Sequence, residues 1–387
     1  IINKWSGQEN SDRGFDIQGH FDSSDALKKA IALYNIHPGK GWAGGLHYQL
    51  TKQNKMLVMT VFGRDSESNF SRVDFDILTG QVVSALRKIP YGGGLYSSNS
   101  NSPLFNDSHT ILVGSAISPN FVSDKTIFIW GVRNDTNSSF LKMSKDGGSS
   151  WMELNVPKFK SVVNVQFSND FINDHTVYLT TNKQVLMSES SGNSWKEIFN
   201  SKQEIISSNF VTNKSTILTN NNDVLVSTDG GKWVTHKTPE GVTSVLINSK
   251  GNLILRSNNN IYSSVTDSWE NLKIPFEKPY GEIRHSSNKL MIYSSNKIGL
   301  LDESTGKWSV FNTLYQINNA WLVQESTKDP TIYAQSKNGE IFRIQKGGGS
   351  FQVNIPAKGS ITQILSSPNK LFFLMVPTYE WENWEKG

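Results

Sequence analysis

Six acidic residues lie where their carboxylates could do chemistry, and these are Asp74, Asp76, Asp170, Asp174, Glu282 and Glu325. Two facing carboxylates hydrolyse a glycosidic bond, one by protonating the leaving oxygen and the other as a nucleophile or base. Any two of the six that met in one cleft could therefore form the active site of a glycoside hydrolase. Their spacing along the chain does not pair them, so this chemistry depends on the fold.

One turn offers oxygen ligands that suit Ca²⁺, because Asp170 and Asp174 stand beside two asparagines and His175. The same turn recurs at Asp124 with Lys125 next to it, which favours ordinary turn hydrogen bonding. The seven histidines show no paired metal-ligand spacing. We therefore predict no cofactor, and Ca²⁺ near Asp170 and Asp174 stays open as an alternative.

A candidate binding patch combines aromatic and charged residues in segments rich in Gly and Pro. Its members are Tyr280, Glu282, Arg284 and His285, with Tyr91 and Tyr96 in a similar segment. Tyrosine beside arginine is typical of protein or glycan recognition. We expect all three tyrosines to lie in loops, and we predict no catalytic residue with comparable support.

A short phrase recurs about every forty residues and organises the chain. Its copies contain Ser144, Asp146, Gly148 and Trp151; Ser188, Gly192 and Trp195, with Ser190 in place of Asp; and Ser227, Asp229, Gly231 and Trp233. Weaker copies end at Trp269, Trp308 and Phe351. Four short apolar runs fill each period, which is typical of one blade of a β-propeller.

Folding alone accounts for every residue of this phrase. Glycine permits the positive φ of a tight turn, and Ser and Asp side chains can hydrogen-bond the amides of the turn. The Trp is expected to anchor the hairpin between neighbouring blades. The repeated turns therefore predict a fold and say little about chemistry.

The phrase resembles the Asp-box (BNR) repeat, Ser-x-Asp-x-Gly-x-Thr-Trp, of sialidases, xyloglucanases, sortilin-like receptors and the photosystem II assembly factor. The resemblance covers most of residues 45–354. It implies a β-propeller with the boxes on its outer rim, away from the central funnel. Asp146 and Asp229 are then structural rather than catalytic.

The resemblance to sialidases implies three arginines that hold a carboxylate. Arg256, Arg284 and Arg343 could converge in this way. This sequence departs from the Arg-Ile-Pro signature of that family, because Lys88 separates Arg87 from Ile89 and Pro90. A xyloglucanase-like enzyme would instead need the carboxylate pair in the central funnel.

The predicted fold is all-β, a propeller of seven or eight four-stranded blades. We place an N-terminal extension at residues 1–40 with a helix near 24–36, the propeller at 41–376 and a tail at 377–387. Leu27, Ala30, Ile31 and Tyr34 form the apolar face of that helix. Strands at 45–50, 56–62, 71–77 and 81–86 are expected to form the first blade.

The last predicted blade has only two strands, at 361–366 and 371–376. An open ring leaves unpaired strand edges, so we expect the N-terminal region to supply its missing strands. A phenylalanine followed five residues later by threonine precedes apolar strands at Phe105, Phe121 and Phe171. This spacing predicts a buried ring beneath a polar turn.

Composition limits the partners. The net charge of +4 is spread thinly over 387 residues, so no stripe indicates nucleic-acid binding. Without cysteine there is no disulfide or thiolate metal site, and no apolar run is long enough to span a membrane. Candidate glycosylation sites are Asn69, Asn106, Asn134, Asn137 and Asn213.

These observations predict a non-catalytic recognition or assembly module, extracellular or at the cell surface, that binds a protein or glycan. A larger assembly or parent chain is left open, since the sequence starts at Ile1 without a methionine. The alternative is a glycoside hydrolase, sialidase-like or xyloglucanase-like, with carboxylates in the funnel.

Overall fold

The computed structural model describes residues 23–36, 44–50, 55–64, 70–91, 93–98, 100, 102–107, 109–133, 136, 138–156, 161–211, 214–228, 231–265, 268–277, 279–325, 329–345, 349–355, 360–367, 370–376 and 378–383.

The helices and strands follow one another along the chain. The first part contains α1 (Ser23–Tyr34), β1 (Gly44–Leu50), β2 (Lys55–Arg64), β3 (Phe70–Asp76), β4 (Val82–Tyr91), β5 (Gly94–Ser97), β6 (Thr110–Ile117), α2 (Phe121–Asp124), β7 (Ile127–Arg133), β8 (Ser139–Ser144), β9 (Met152–Glu153), β10 (Val162–Phe167), α3 (Phe171–Asp174), β11 (Val177–Thr181), β12 (Gln184–Ser188), β13 (Lys196–Asn200), β14 (Ile205–Val211), β15 (Lys214–Thr219), β16 (Val224–Ser227) and β17 (Trp233–His236). The second part contains β18 (Val242–Ile247), β19 (Leu253–Ser257), β20 (Asn260–Val265), β21 (Ser268–Asn271), β22 (Tyr280–Ser286), β23 (Lys289–Tyr293), β24 (Lys297–Asp302), β25 (Lys307–Asn312), β26 (Ile317–Val323), β27 (Thr331–Ser336), β28 (Ile341–Ile344), β29 (Ser350–Val353), β30 (Ser360–Ser367), β31 (Lys370–Val376) and β32 (Thr378–Asn383).

Seven sheets form the blades of a β-propeller. Blades 1 to 6 are the four-stranded antiparallel meanders β6–β9, β10–β13, β14–β17, β18–β21, β22–β25 and β26–β29. Blade 7 contains β30, β31 and β5. The first strand of each blade contacts the first strand of the next, and β30 of blade 7 contacts β6 of blade 1. The ring therefore closes at seven blades.

Blade 7 closes the ring with a strand from far upstream. β5 pairs antiparallel with β31, with Leu95 opposite Leu374, and Leu95 also bridges to Phe105. Across the seam, the side-chain oxygen of Gln363 accepts hydrogen bonds from the backbone N–H and the hydroxyl of Ser115, at 2.9 and 3.0 Å. An upstream strand thus joins the last blade as a third strand, but it comes from residues 94–97 rather than from the N-terminal region that the sequence suggested.

Hydrophobic cores lie between the blades, one at each of the seven interfaces. The seam core, for example, joins Phe372 and Leu374 of blade 7 to Phe121 and Ile129 of blade 1. The rings of Phe121 and Phe372 meet edge to face with centroids 5.2 Å apart. Each fully buried ring contributes roughly 1.5–3 kcal/mol by leaving water, so the interfaces hold the ring together.

The predicted first blade is instead a sheet with a core of its own. β1 to β4 pair in sequence order, and β32 adds a fifth strand beside β4. Its core consists of residues of α1 and of this sheet, including Ala26, Ala30, Val73 and Phe75. The four predicted strands are present, but the propeller ring begins with β5 and β6 rather than near residue 41.

Two smaller expectations also differ in this region. Residues 378–383 form strand β32 and not a tail. The predicted helix is present as Ser23–Tyr34, and Leu27, Ala30 and Tyr34 of its predicted apolar face pack against the sheet, whereas Ile31 is on its exposed side and Ala26 is buried in its place. Small alanines let the helix approach the sheet closely, which the apolar periodicity alone did not reveal.

The predicted phenylalanine turns are present in blades 1 and 2. Phe121 and Phe171 begin the one-turn helices α2 and α3 and are buried. Each turn ends on a residue in the left-handed region, Lys125 or His175. Phe105 is also buried, but it lies before β6 and does not link two strands of a blade.

Candidate functional site

In the repeated turn of blade 1, the carboxylate of Asp146 is hydrogen-bonded to other residues of the same turn. Asp146 accepts hydrogen bonds from the Ser144 hydroxyl at 2.8 Å and from the Ser150 backbone N–H at 2.9 Å. The Ser150 hydroxyl is a further donor. These bonds from Ser150, and then the one from Ser144, lower the pKa of Asp146 to about 2. The Gly148 N–H donates to the Ser144 hydroxyl at 2.8 Å.

The copies in blades 2 and 3 follow the same plan as far as they are described. Ser188 accepts from the Gly192 N–H at 2.8 Å. Ser190, in the position of the Asp, accepts from the Ser194 N–H at 3.0 Å. Ser227 is buried at the end of its strand. Asp229 lies outside the described residues.

The tryptophans anchor each blade to the one before it. The Trp151 indole N–H donates to the Leu104 carbonyl at 2.9 Å, Trp269 donates to Lys237 at 2.9 Å and Trp308 to Leu272 at 3.1 Å. Trp195 and Trp233 pack in the equivalent inter-blade cores. Phe351, the expected anchor of blade 6, is 56% exposed and does not perform this role.

The first strand of every blade contains a β-bulge at the same place. The pairing register skips one residue in six of these strands and three residues in β22. The single skipped residues are Val113, Val163, Ile206, Thr243, Asn318 and Thr362, and all six line a central channel. A bulge re-aims side chains, and here it presents one residue per blade to the axis.

The channel has a volume of about 790 Å³, and its bulge residues differ in chemistry around the ring. Blades 1 to 3 contribute Val113, Val163 and Ile206 at the bulges, and Val113 and Ile206 are 54% and 48% exposed. Blades 4, 6 and 7 contribute Thr243, Asn318 and Thr362. The bulge residues are thus apolar in blades 1 to 3 and hydrogen-bonding in blades 4, 6 and 7, while Asn164, Ser207 and Asn209 add polar groups beside the apolar ones.

Blade 5 adds the guanidinium of Arg284 and the imidazole of His285 to the channel wall. His285 Nε2 lies 2.9 Å from Glu303 Oε2, and Asn248 donates to Glu303 Oε1 at 2.7 Å. Burial disfavours the charged Glu303, but the hydrogen bonds from His285 and Asn248 outweigh it, so the pKa of Glu303 lies below its ordinary value.

The predicted binding patch is only partly brought together. Arg284 and His285 meet in the channel. Tyr96 is in strand β5 rather than a loop, is 5% exposed, and donates to the Gly93 carbonyl at 3.2 Å. Tyr91 and Tyr280 also lie in strands, β4 and β22, so the loop placement is wrong for all three. The side chains of Tyr91, Tyr280 and Glu282 are outside the described part.

The candidate carboxylates have other partners. Asp74 is buried in the N-terminal sheet with Thr60, Arg72 and Ser84. Asp76 caps its own turn through the Leu78 N–H, and Glu325 pairs with Arg343 and Tyr333. Among the described side chains that line the channel there is no carboxylate.

The three arginines considered for a sialidase-like site do not share one wall. Arg284 lines the channel. Arg256 donates to the Pro279 carbonyl at 2.8 Å, and Arg343 bonds Glu325 at 3.0 Å. Burial removes water from the Arg256 guanidinium and thereby lowers its pKa.

The candidate Ca²⁺ turn is a hydrogen-bonded turn in the described structure. Asp174 accepts from the Ser168 hydroxyl at 2.6 Å and from the Thr176 N–H at 2.7 Å. The turn at Asp124 has the same two bonds, from Ser118 and Thr126. The described residues contain no group of three or more His, Asp or Glu placed to hold a metal ion.

Several residues of the site carried no signal in the sequence. Glu303 stands in a degenerate repeated turn, and the bulge residues are ordinary members of apolar strands. A β-bulge has no fixed sequence mark, so only the register of each strand with its neighbour shows which residue turns to the axis. The sevenfold recurrence of the inner strands was the one available clue.

Comparison with solved structures supports the propeller fold. YCF48 from Cyanidioschyzon merolae aligns over 74% of this chain and 98% of its own, with 15% identity and a TM-score of 0.53. A structure of YCF48 bound to D1 peptide covers 69% and 94%, with 14% identity and a TM-score of 0.50. The extracellular domain of BT4673 from B. thetaiotaomicron covers 77% and 40%, with 9% identity and a TM-score of 0.52. At these identities the likeness is one of fold.

No protein-family model matches the chain, and a search of curated proteins finds no significant match. Within the described part, no helix has the length and apolar character needed to cross a membrane.

Proposed function

We propose that this propeller is a recognition or assembly module that binds a segment of a protein partner in its central channel. The observation that carries the proposal is the set of bulge residues around the channel, which are apolar in blades 1 to 3 and polar in blades 4, 6 and 7. Val113, Val163 and Ile206 offer apolar contact, while Thr243 and Arg284 offer polar groups. An extended peptide has both kinds of surface, with side chains on alternate faces and a backbone that needs hydrogen bonds.

A protein partner suits this channel better than a glycan. Sugar rings pack best on exposed aromatic faces, whereas the two aromatic residues of the described lining, Trp130 and Tyr293, are 4% and 3% exposed. Among solved propellers of similar fold, one is a complex of YCF48 with a peptide. We also infer that the repeated turns are Asp boxes, because Asp146 and Trp151 serve their own turn and the neighbouring blade.

Photo-crosslinking tests where the partner binds. Benzoylphenylalanine is placed at Thr243 in the channel or at Val310, which is 41% exposed on an outer strand. The full chain is then irradiated in extract of the native source, and captured proteins are identified by mass spectrometry. We expect a protein captured from Thr243 and absent from Val310. Identical captures at both positions would remove the channel from the proposal.

A matched pair of variants in blade 3 then measures binding of that partner. Ile206 in the channel and Val234 on the outer strand are 48% and 49% exposed. Ile206→Asp buries a charge against the bound segment and is expected to weaken binding at least about tenfold, whereas Val234→Asp leaves it unchanged. Equal affinities of the two variants would contradict the proposal.

We further propose that the channel binds without catalysing a reaction. The hydrolase alternative needs two carboxylates facing each other across the funnel, and the described lining offers hydroxyl, amide, guanidinium and imidazole groups instead. A panel of 4-nitrophenyl glycosides, with Glu282→Gln as the comparison, tests this point. Turnover that Glu282→Gln abolishes would establish the hydrolase in its place.

Action outside the cell or at its surface is part of the same proposal. The extracellular domain of BT4673 shows that this fold occurs there. Intact native cells treated with protease are expected to lose the protein, while a cytosolic marker survives. Survival of the protein until the cells are lysed would place it inside.

A further inference from the structure

Blade 6 lacks the indole that packs in the groove before each of blades 1 to 5. In strand pairing, Trp233 lies opposite Ser227, Trp269 opposite Ser264 and Trp308 opposite Leu301. The corresponding pair of blade 6 is Ile344 and Ser350. Ser350 is exposed, and no tryptophan belongs to the core between blades 5 and 6.

A cavity of about 200 Å³ lies in this same groove. Its apolar lining comes from both blades, with Leu300 and Phe311 from blade 5 and Pro330, Ile332 and Ile344 from blade 6. An apolar cavity of roughly 150 Å³ is known to hold benzene. The groove between blades 5 and 6 is therefore large enough for one indole ring. In the preceding groove, between blades 4 and 5, Trp308 of the chain itself provides that ring.

Charged side chains also line the cavity, beside the polar Ser309 and Gln345. Lys289 Nζ lies 2.8 Å from Asp302 Oδ2 and 3.7 Å from Asp329 Oδ1. The hydrogen bond from Lys289, and those from Ser304, hold the pKa of Asp302 well below its usual range. The described lining holds two carboxylates and one ammonium, and the carboxylates favour a cation beside the aromatic ring.

We propose that the groove between blades 5 and 6, which we call the indole groove, binds an aromatic side chain next to a basic residue in a protein partner. The partner's aromatic ring takes the position that a tryptophan of this chain occupies in the grooves before blades 3 to 5. The neighbouring ammonium or guanidinium pairs with Asp302 and Asp329. This site is separate from the central channel, so the two proposals stand or fall independently.

Binding of small probes to the full chain tests the ring and the charge separately. Tryptamine carries an indole with an ammonium, and indole-3-propionate carries the same ring with a carboxylate. Calorimetry is expected to show millimolar or tighter binding of tryptamine and about fivefold weaker binding of indole-3-propionate, since a partly exposed charge contact is worth about 1 kcal/mol. Asp329→Asn should narrow that difference.

A variant that fills the indole groove with a tryptophan of the chain itself gives the decisive test of the proposal. Ser350→Trp should abolish tryptamine binding and raise the melting temperature, because the new indole packs beside Ile344 as Trp308 packs beside Leu301. Phe351→Trp is the matched control, since Phe351 is the next residue and is 56% exposed. It should leave binding intact. Binding that persists in Ser350→Trp overturns the proposal.

Methyl chemical shifts give a reading that does not depend on a variant folding. In the wild-type chain, tryptamine should shift the methyl signals of Leu300 and Ile332 and leave that of Ile206 in the channel unmoved. A shift confined to Ile206 would assign the ligand to the channel, and no shift at millimolar tryptamine would show the cavity to be a packing void.

Peptides then identify the source of the ring. A blocked peptide with a Lys-Trp core is expected to compete with tryptamine, and one with a Glu-Trp core to compete at least about fivefold less well. If neither peptide competes while tryptamine binds, the groove accepts small indoles only, and the protein partner is wrong.

Discussion

At the scale of single residues, side chains that resemble catalytic groups are held by their own turns. Asp146 has hydrogen bonds from Ser144 and Ser150, and Asp174 has them from Ser168 and Thr176. A carboxylate that accepts several hydrogen bonds is stabilised in its charged form. The lowered pKa of Asp146 therefore makes its hydrogen bonds a contribution to stability that depends on pH.

We expect acid to remove the contribution of Asp146. Its pKa of about 2 in the folded chain is below the ordinary 3.8, so the contribution is complete above about pH 4 and is lost as the pH falls towards 2. Asp146→Asn should lower the melting temperature by a few degrees near pH 5 and by almost nothing near pH 2. Calorimetry at a series of pH values measures this.

Blade 2 provides the converse variant. Ser190 already accepts from the Ser194 N–H at 3.0 Å where blade 1 has Asp146 and Ser150. Ser190→Asp should raise the melting temperature near pH 5 and add a new loss of stability below about pH 4. If the two variants show the same pH profile as the wild type, the turn hydrogen bonds do not carry the effect.

At the scale of elements, two devices recur from blade to blade. The bulge of six inner strands points one residue at the axis, and in blades 1 to 5 an indole near the outer strand packs in the groove to the preceding blade. Trp151 shows the second device most fully, since its ring meets Phe105 edge to face at 5.5 Å and its N–H bonds Leu104. Packing and hydrogen bonding therefore act at one joint.

Trp151→Ala is expected to lower the free energy of unfolding by about 2–4 kcal/mol, because a large ring leaves a cavity between two blades. Phe351→Ala, at the position that the sequence pattern made equivalent, should change it by less than about 0.5 kcal/mol since that ring is largely in solvent. Urea unfolding of both variants gives the comparison. Equal losses would mean that Phe351 also anchors its blade.

At the scale of the whole molecule, the closed ring depends on one seam. β5 lies far upstream of β31 yet completes blade 7, and the Ser115–Gln363 bonds tie that blade to blade 1. A closed ring leaves no blade with a free face. The channel has a defined wall only because all seven inner strands are held at once.

Gly94→Ala should loosen this seam. Gly94 has φ of +122°, and a Cβ there would lie 2.3 Å from the Phe105 carbonyl oxygen. Strain and clash together should cost about 2–4 kcal/mol. Hydrogen exchange should accelerate in β5 and β31 before it does in blades 3 and 4.

A second glycine separates strain from clash. Gly251 also has positive φ, +78°, but a Cβ there meets nothing within 4 Å. Gly251→Ala should cost about 1 kcal/mol and leave exchange in β5 unchanged. Faster exchange spread evenly over all blades in both variants would argue against a special role of the seam.

The sequence alone determined the class of fold, because repeated turns and apolar strands are local signals. Ser144, Gly148 and Trp151 specify one blade wherever they recur, and the glycines and hydroxyls act within a few residues of each other. The same local signal misplaced the start of the ring, because a four-stranded meander at residues 45–86 has the sequence pattern of a blade whether or not it belongs to the propeller ring.

Only the tertiary structure decided which residues form a site. Arg284 and Val113 share a channel although they are distant in sequence, and the indole groove lies between Leu300 of blade 5 and Ile344 of blade 6. Such sites depend on strand register and on contacts between blades. Those are properties of the closed ring, and no short stretch of the sequence contains them.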